Sequence, residues 1–80
     1  MKRLVKIYFR NGTTFDTLFE DGIVKRYDIF KLAKIYPQLN SLKDRDLFLK
    51  GKILCTSGIK WNDDIDIDGD TIYSDGDILK

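Results

Sequence analysis

A chain of 80 residues that is 42% hydrophobic and 34% charged, with ten aromatic side chains, has apolar mass for one small core and no room for a second. It contains no His and a single Cys, Cys55, which excludes a Ser–His or Cys–His catalytic pair, an intrachain disulfide and the usual zinc site. Net charge is +1, but residues 1–60 carry thirteen Lys and Arg against six Asp and Glu while residues 61–80 carry one against seven, so a basic body meets an acidic end that is expected to fold back and neutralise it.

The opening MKRLVKIYFRNG has only a short apolar stretch, interrupted by Lys6 and Arg10, and leads to no small-residue cleavage site, which argues against a signal peptide. No apolar run approaches the roughly 18 residues that span a bilayer, and a lone thiol suits a reducing compartment. A cytoplasmic protein without membrane contact is expected. Val5, Ile7 and Phe9 alternate with Lys6, Tyr8 and Arg10, the period of a half-buried strand. Asn11-Gly12 then offers a hairpin turn, and a second strand follows with Phe15, Thr17 and Phe19 on one face and Asp16 and Glu20 on the other. Asp21-Gly22 supplies the next turn into a third strand through Tyr27, completing an antiparallel meander.

Asp28 is placed to cap a helix in which Ile29, Leu32, Ala33 and Tyr36 share one face and which Pro37 stops. Ser41 with Asp44 resembles a capping box ahead of a short helix holding Leu47 and Phe48. A C-terminal hairpin follows, with Ile53 and Cys55 alternating inward, Thr56-Ser57-Gly58 as the turn, and Ile59 and Trp61 in the return strand. The fold class is therefore α+β: a small antiparallel sheet, made of the N-terminal three-strand meander plus a C-terminal hairpin, with one or two short helices packed on it, in a single domain over residues 1–80.

The last third holds the one stretch resembling a chemical site. Asp64, Asp66, Asp68 and Gly69 stand at the spacing of a calcium-binding EF-hand loop running from 64 to 75. Three features oppose that reading: Thr71 occupies an aliphatic position, Asp75 is too short for the bidentate ligand, and a strand rather than a helix leads in, with Ile65 and Ile67 turned inward. Asp70 reads instead as the cap of a turn through Thr71, Ile72 and Tyr73, and no metal or other cofactor is expected. The six glycines stand singly rather than in a phosphate loop, and no carboxylate pair announces contrasting environments. An enzyme is not expected. Cys55 reads as an inert buried thiol. Trp61 and Tyr73 are either core or recognition aromatics, with core favoured for Trp61 in so small a domain. Lys2, Arg3, Lys6, Arg10, Lys25 and Arg26, interleaved with Tyr8 and Tyr27, offer an alternative nucleic-acid-binding face.

An ordered set of positions adds to this. Phe19, Asp21 and Gly22 in FEDG, then Tyr27 and Asp28, Leu42 and Phe48 in LKDRDLF, and Trp61, Asp66, Ile67, Asp70, Ile72 and Tyr73 in WNDDIDIDGDTIY resemble the signature of the small bacterial family catalogued as domain of unknown function 2442. The resemblance runs from about residue 5 to residue 76, and departs after Trp61, where Asn62-Asp63-Asp64 adds charge in place of the family's Pro, Asn or Gly. It implies an α+β fold, no established activity, and Asp21, Asp28, Trp61, Asp66, Asp70 and Tyr73 as signature positions. It also implies genes paired with another small family, domain of unknown function 4160, in units that look like toxin and antitoxin. The expected function is a noncatalytic protein-interaction module, an antitoxin-like or accessory half of a two-gene bacterial system, binding a small protein partner encoded by the adjacent gene through its sheet face or edge.

Overall fold

The computed structural model describes residues 2–55 and 57–79. In chain order the strands and helices are β1 (Leu4–Phe9), β2 (Thr14–Phe19), β3 (Val24–Asp28), two 3₁₀ helices (Ile29–Leu32 and Pro37–Lys43), α1 (Arg45–Phe48), β4 (Lys52–Leu54), β5 (Gly58–Asn62), β6 (Ile65–Asp68), α2 (Gly69–Asp75) and β7 (Asp77–Ile78). The fold is α+β, with two antiparallel sheets: one in the order β1-β2-β3-β7, the other β4-β5-β6. No helix among the described residues is long and apolar enough to cross a membrane.

The meander forms where its turns require it. Gly12 and Gly22 lie at φ +67° and +88°, the left-handed region that a side chain disfavours and a tight reversal needs. Phe15, Thr17 and Phe19 face inward as their alternation requires, while β1 departs from its pattern. Leu4 pairs with Phe19 but Lys6 pairs with Leu18, so an irregularity in register at residue 5 turns Val5 outward, 54% exposed, and puts Leu4 in the core.

The expected α-helix from 29 to 36 is one turn of 3₁₀ helix. Asp28 caps it as expected, accepting the Phe30 N–H at 3.0 Å, but Ile35 and Tyr36 are exposed. Tyr36 precedes a proline and is driven out of the helical region, to φ −121° and ψ 88°, and so short a run cannot nucleate an α-helix by itself. Pro37 stops that segment and then opens the next helix from its first position. Ser41 lies inside this second 3₁₀ helix, so no capping box forms; Asp44 caps α1 by accepting the Asp46 N–H at 3.1 Å. Cys55 lies beyond β4, exposed and at φ 51°, rather than inward. Of the expected Thr-Ser-Gly turn, Thr56 lies outside the described residues; the Ser57 N–H donates to the Leu54 carbonyl at 3.1 Å.

The core lies between the two sheets, closed by the helical segments. Phe48 stacks on Trp61 with ring centroids 6.2 Å apart and meets Phe9 edge-on at 5.0 Å, while Phe15 packs against both Phe48 and Trp61. Tyr27 is 1% exposed, and neither its hydroxyl nor that of Thr17 has a hydrogen-bond partner among the described residues. A buried hydroxyl without a partner costs more than the group of equal shape that lacks it. Tyr27→Phe is therefore expected to raise stability, by up to about 1 kcal/mol, read as a higher urea midpoint at unchanged slope. A lower midpoint would show that the hydroxyl is satisfied.

Candidate functional site

Asp21, Asp70 and Tyr73 come together where the C-terminal helix lies against β1 and the turn between β2 and β3. From α2 the Tyr73 hydroxyl donates to Asp21 Oδ2 at 2.8 Å, and Asp21 Oδ1 accepts the Ile23 N–H of its own turn at 3.0 Å. Phe19 packs edge-on against the Tyr73 ring at 4.9 Å, and the ammonium groups of Lys2 and Lys25 lie 4.5 and 5.0 Å from its centroid. The backbone N–H of Lys2 donates to Asp70 at 2.8 Å. The Ile23 N–H and then the Tyr73 hydroxyl hold the Asp21 carboxyl below its ordinary pKa, and the same bond to Asp21 raises that of Tyr73. A phenol held protonated and a carboxylate held ionised form a latch between α2 and the β2–β3 turn rather than an acid–base pair working near neutrality.

The cap of α2 is Asp68, not Asp70. Asp68 Oδ1 accepts the Thr71 N–H at 2.7 Å, and Asp70 sits in the first turn, free to take the Lys2 N–H. Asp28 works at another seam. Its Oδ1 accepts both the Phe30 N–H and, at 2.6 Å, the Thr13 hydroxyl, joining the first hairpin loop to the helical segment. Trp61 is 7% exposed and donates its indole N–H to the Phe48 carbonyl at 2.8 Å, which makes it a core residue.

Asp66 is placed differently. It projects from β6 opposite Lys60 of β5, is exposed, and its side chain makes no hydrogen bond or ion pair among the described residues. It lines a cleft of about 410 Å³ between the helical segment, represented by Tyr36 and Leu39, and the second sheet, represented by Leu54, Ile59 and Ile67. Lys60 also lines this cleft, its ammonium 3.4 Å from Asp63.

The acidic run is not folded as a loop. Residues 65–68 are strand and 69–75 helix, so the spacing that suggested an EF-hand is carried on extended and then helical backbone. Among the described residues no group of three or more Cys, Asp or Glu side chains is arranged to hold a metal ion.

The basic strand face is also altered by its neighbours. Asp16 is only 3% exposed, enclosed by Arg10 Nε at 2.7 Å and Arg26 Nε at 2.8 Å. The Arg26 hydrogen bond, against the opposing effect of burial and with help from Arg10, holds the Asp16 carboxyl below its ordinary pKa. Tyr27 points into the core, and Lys2 and Lys25 are engaged with Tyr73, so the face lacks most of the cations and one of the two rings expected of it. What remains outward is Tyr8, with the Lys6 ammonium 5.3 Å from its ring, beside Val24 and Leu79 around the Arg10–Asp16–Arg26 group. No sequence motif marks Asp16 as a site residue, although the hairpin register that places it between Tyr8 and Arg26 follows from turn length.

Compared with known proteins, the chain matches no family model, no curated protein and no solved structure.

Proposed function

We propose that this chain is a noncatalytic protein-interaction module related to the domain of unknown function 2442 family, the antitoxin-like or accessory half of a two-gene bacterial system working in the cytoplasm. Its partner docks on the outer face and edge of the first sheet. The observation that carries this reading is the composition of that face. Tyr8, Val24 and Leu79 surround two arginines already ordered by Asp16, and Val5 and Ile78 stand exposed on the two edge strands, β1 and β7. Tyr and Arg are the residue types enriched where interfaces hold their binding energy. Guanidinium groups held in place before binding lose less freedom on docking, and an edge strand offers backbone groups for strand addition.

Coexpression with the product of the adjacent gene is expected to give a complex that copurifies and persists at micromolar concentration. Tyr8→Ala, at an exposed position, is expected to weaken it by about tenfold or more while leaving the melting midpoint near that of the parent. Failure of the two proteins to associate at micromolar concentration would overturn the reading.

A further inference from the structure

We propose that the cleft between residues 32–39 and the second sheet is a recognition site for a basic side chain, Arg or Lys, carried on a protein segment, and that Asp66 reads its charge. The proposal does not depend on the sheet-face reading above, since the cleft is built from other elements. Its starting point is an asymmetry among Asp21, Asp28, Trp61, Asp66, Asp70 and Tyr73. Asp21, Asp28, Asp70 and Tyr73 each make a hydrogen bond that joins two parts of the chain, and Trp61 is bonded inside the core. Asp66 alone has no such bond among the described residues, and it is the one of the six that lines a cleft.

The cleft's chemistry selects the occupant. Its volume of about 410 Å³ lies at the small end of the range for ligand sites, about 300–1,000 Å³, large enough for one long side chain and its flanking backbone. Leu39, Leu54, Ile59 and Ile67 supply apolar walls for an aliphatic stem, and the half-exposed Tyr36 supplies a ring on which a cation can stack. Asp66 supplies a carboxylate with all its acceptor positions open, and Asp68 a second whose Oδ1 is taken by the helix cap. Lys60, the cation in the lining, is already balanced by Asp63, so the cleft is net acidic. An anionic segment would meet two carboxylates. A wholly apolar one would strip water from Asp66 and return no partner, which is costly. A side chain with an aliphatic stem and a cationic head satisfies walls and carboxylate together.

The test is a ¹⁵N–¹H NMR titration of the full chain with three capped tripeptides, Leu-Arg-Leu, Leu-norleucine-Leu and Leu-Glu-Leu, and with spermidine as a cation lacking the peptide frame. The Arg peptide is expected to give saturable shifts confined to the amides around Leu54, Ser57–Ile59 and Asp66–Thr71, and the Glu peptide none. Asp66→Asn, a conservative change on an exposed strand position, is expected to weaken the Arg peptide about fivefold or more, as loss of a charge-assisted hydrogen bond does. Asp77→Asn, an equal charge change outside the cleft, is expected to leave binding within about twofold, the scale of a screened surface charge. Shifts scattered over the surface, equal binding of the norleucine or Glu peptide, insensitivity to Asp66→Asn, or spermidine binding as tightly as the Arg peptide would each overturn the proposal. Tyr8→Ala tests the sheet face and is expected to leave this titration unchanged, so the two readings fail separately.

Discussion

Trp61→Ala is expected to be the most damaging single substitution in this protein, costing about 3–5 kcal/mol as other buried large-to-small aromatic changes do. Three contributions are lost together. The indole stacks on Phe48 at a 15° interplanar angle, meets Phe15 edge-on, and donates the N–H that satisfies the Phe48 carbonyl. A domain of this size commands only roughly 4–12 kcal/mol in all, so the loss consumes a large share of it. The melting midpoint should fall by about 15 °C or more, and a substantial unfolded population should be visible by far-UV circular dichroism at room temperature. Trp61→Phe keeps a ring in the stack but leaves the Phe48 carbonyl with only the long bond from the Gly51 N–H at 3.4 Å, for an expected cost of about 1 kcal/mol. The site is constrained from the other side as well. A Cβ at Gly51 would stand 2.6 Å from Trp61 Nε1 and 2.8 Å from Cε2, so Gly51→Ala must displace the indole and is expected to cost about 1–3 kcal/mol. A Trp61→Ala variant that melts within a few degrees of the parent would mean that the aromatic cluster does not hold the two sheets together.

The second large effect is a dependence on pH centred on Asp16. Its folded pKa lies below the ordinary carboxylate value because Arg26, and then Arg10, hydrogen-bond the ionised form and outweigh the cost of burial. In the acid range the unfolded chain therefore binds more protons at this position than the folded one. The stability contributed by Asp16 is present in full above its unfolded pKa of about 4 and is lost as pH falls through the lower folded value. Both arginine side chains are about half exposed, 53% and 41%, so solvent screening keeps the contribution modest, about 1–2 kcal/mol rather than the value for a fully enclosed pair. Asp16→Asn is expected to lower the urea midpoint at neutral pH, and the gap between variant and parent should close as pH is lowered below about 4. A gap that stays constant down to strongly acid pH would show that Asp16 acts through packing and not through its charge. The same substitution releases Arg10 and Arg26 on the proposed docking face, so it should weaken partner binding more than it lowers stability.

The structure also divides the acidic C-terminal run by task. Asp68 caps α2, Asp70 takes the Lys2 N–H, and Asp77 lies opposite Arg26 where β7 joins the first sheet. The basic body and acidic end thus meet within one molecule, and part of the charge that resembled a cation site is used to close the fold.

Much of this architecture was legible in the residues because it is decided locally. Asn11-Gly12 and Asp21-Gly22 demand tight reversals. The alternation of Phe15, Thr17 and Phe19, and of Ile65 and Ile67, sets which face is buried, and Asp28 caps the segment that follows because its carboxylate reaches an N–H two residues on. The rest depended on partners distant in sequence. Whether Val5 or Leu4 entered the core was settled by a register irregularity against β2. Whether Asp68 or Asp70 capped the helix was settled by where β6 ended and by the Lys2 N–H that claimed Asp70. Asp16 is polar and sits on an outward strand position, yet it is buried because Arg10, just beyond β1, and Arg26 of β3 close over it. The fold class and its turns thus follow from short-range sterics and periodicity in the sequence alone. The latch between Tyr73 and Asp21, the enclosure of Asp16 and the cleft that leaves Asp66 open were decided only by the tertiary structure, because each joins groups that no local rule relates.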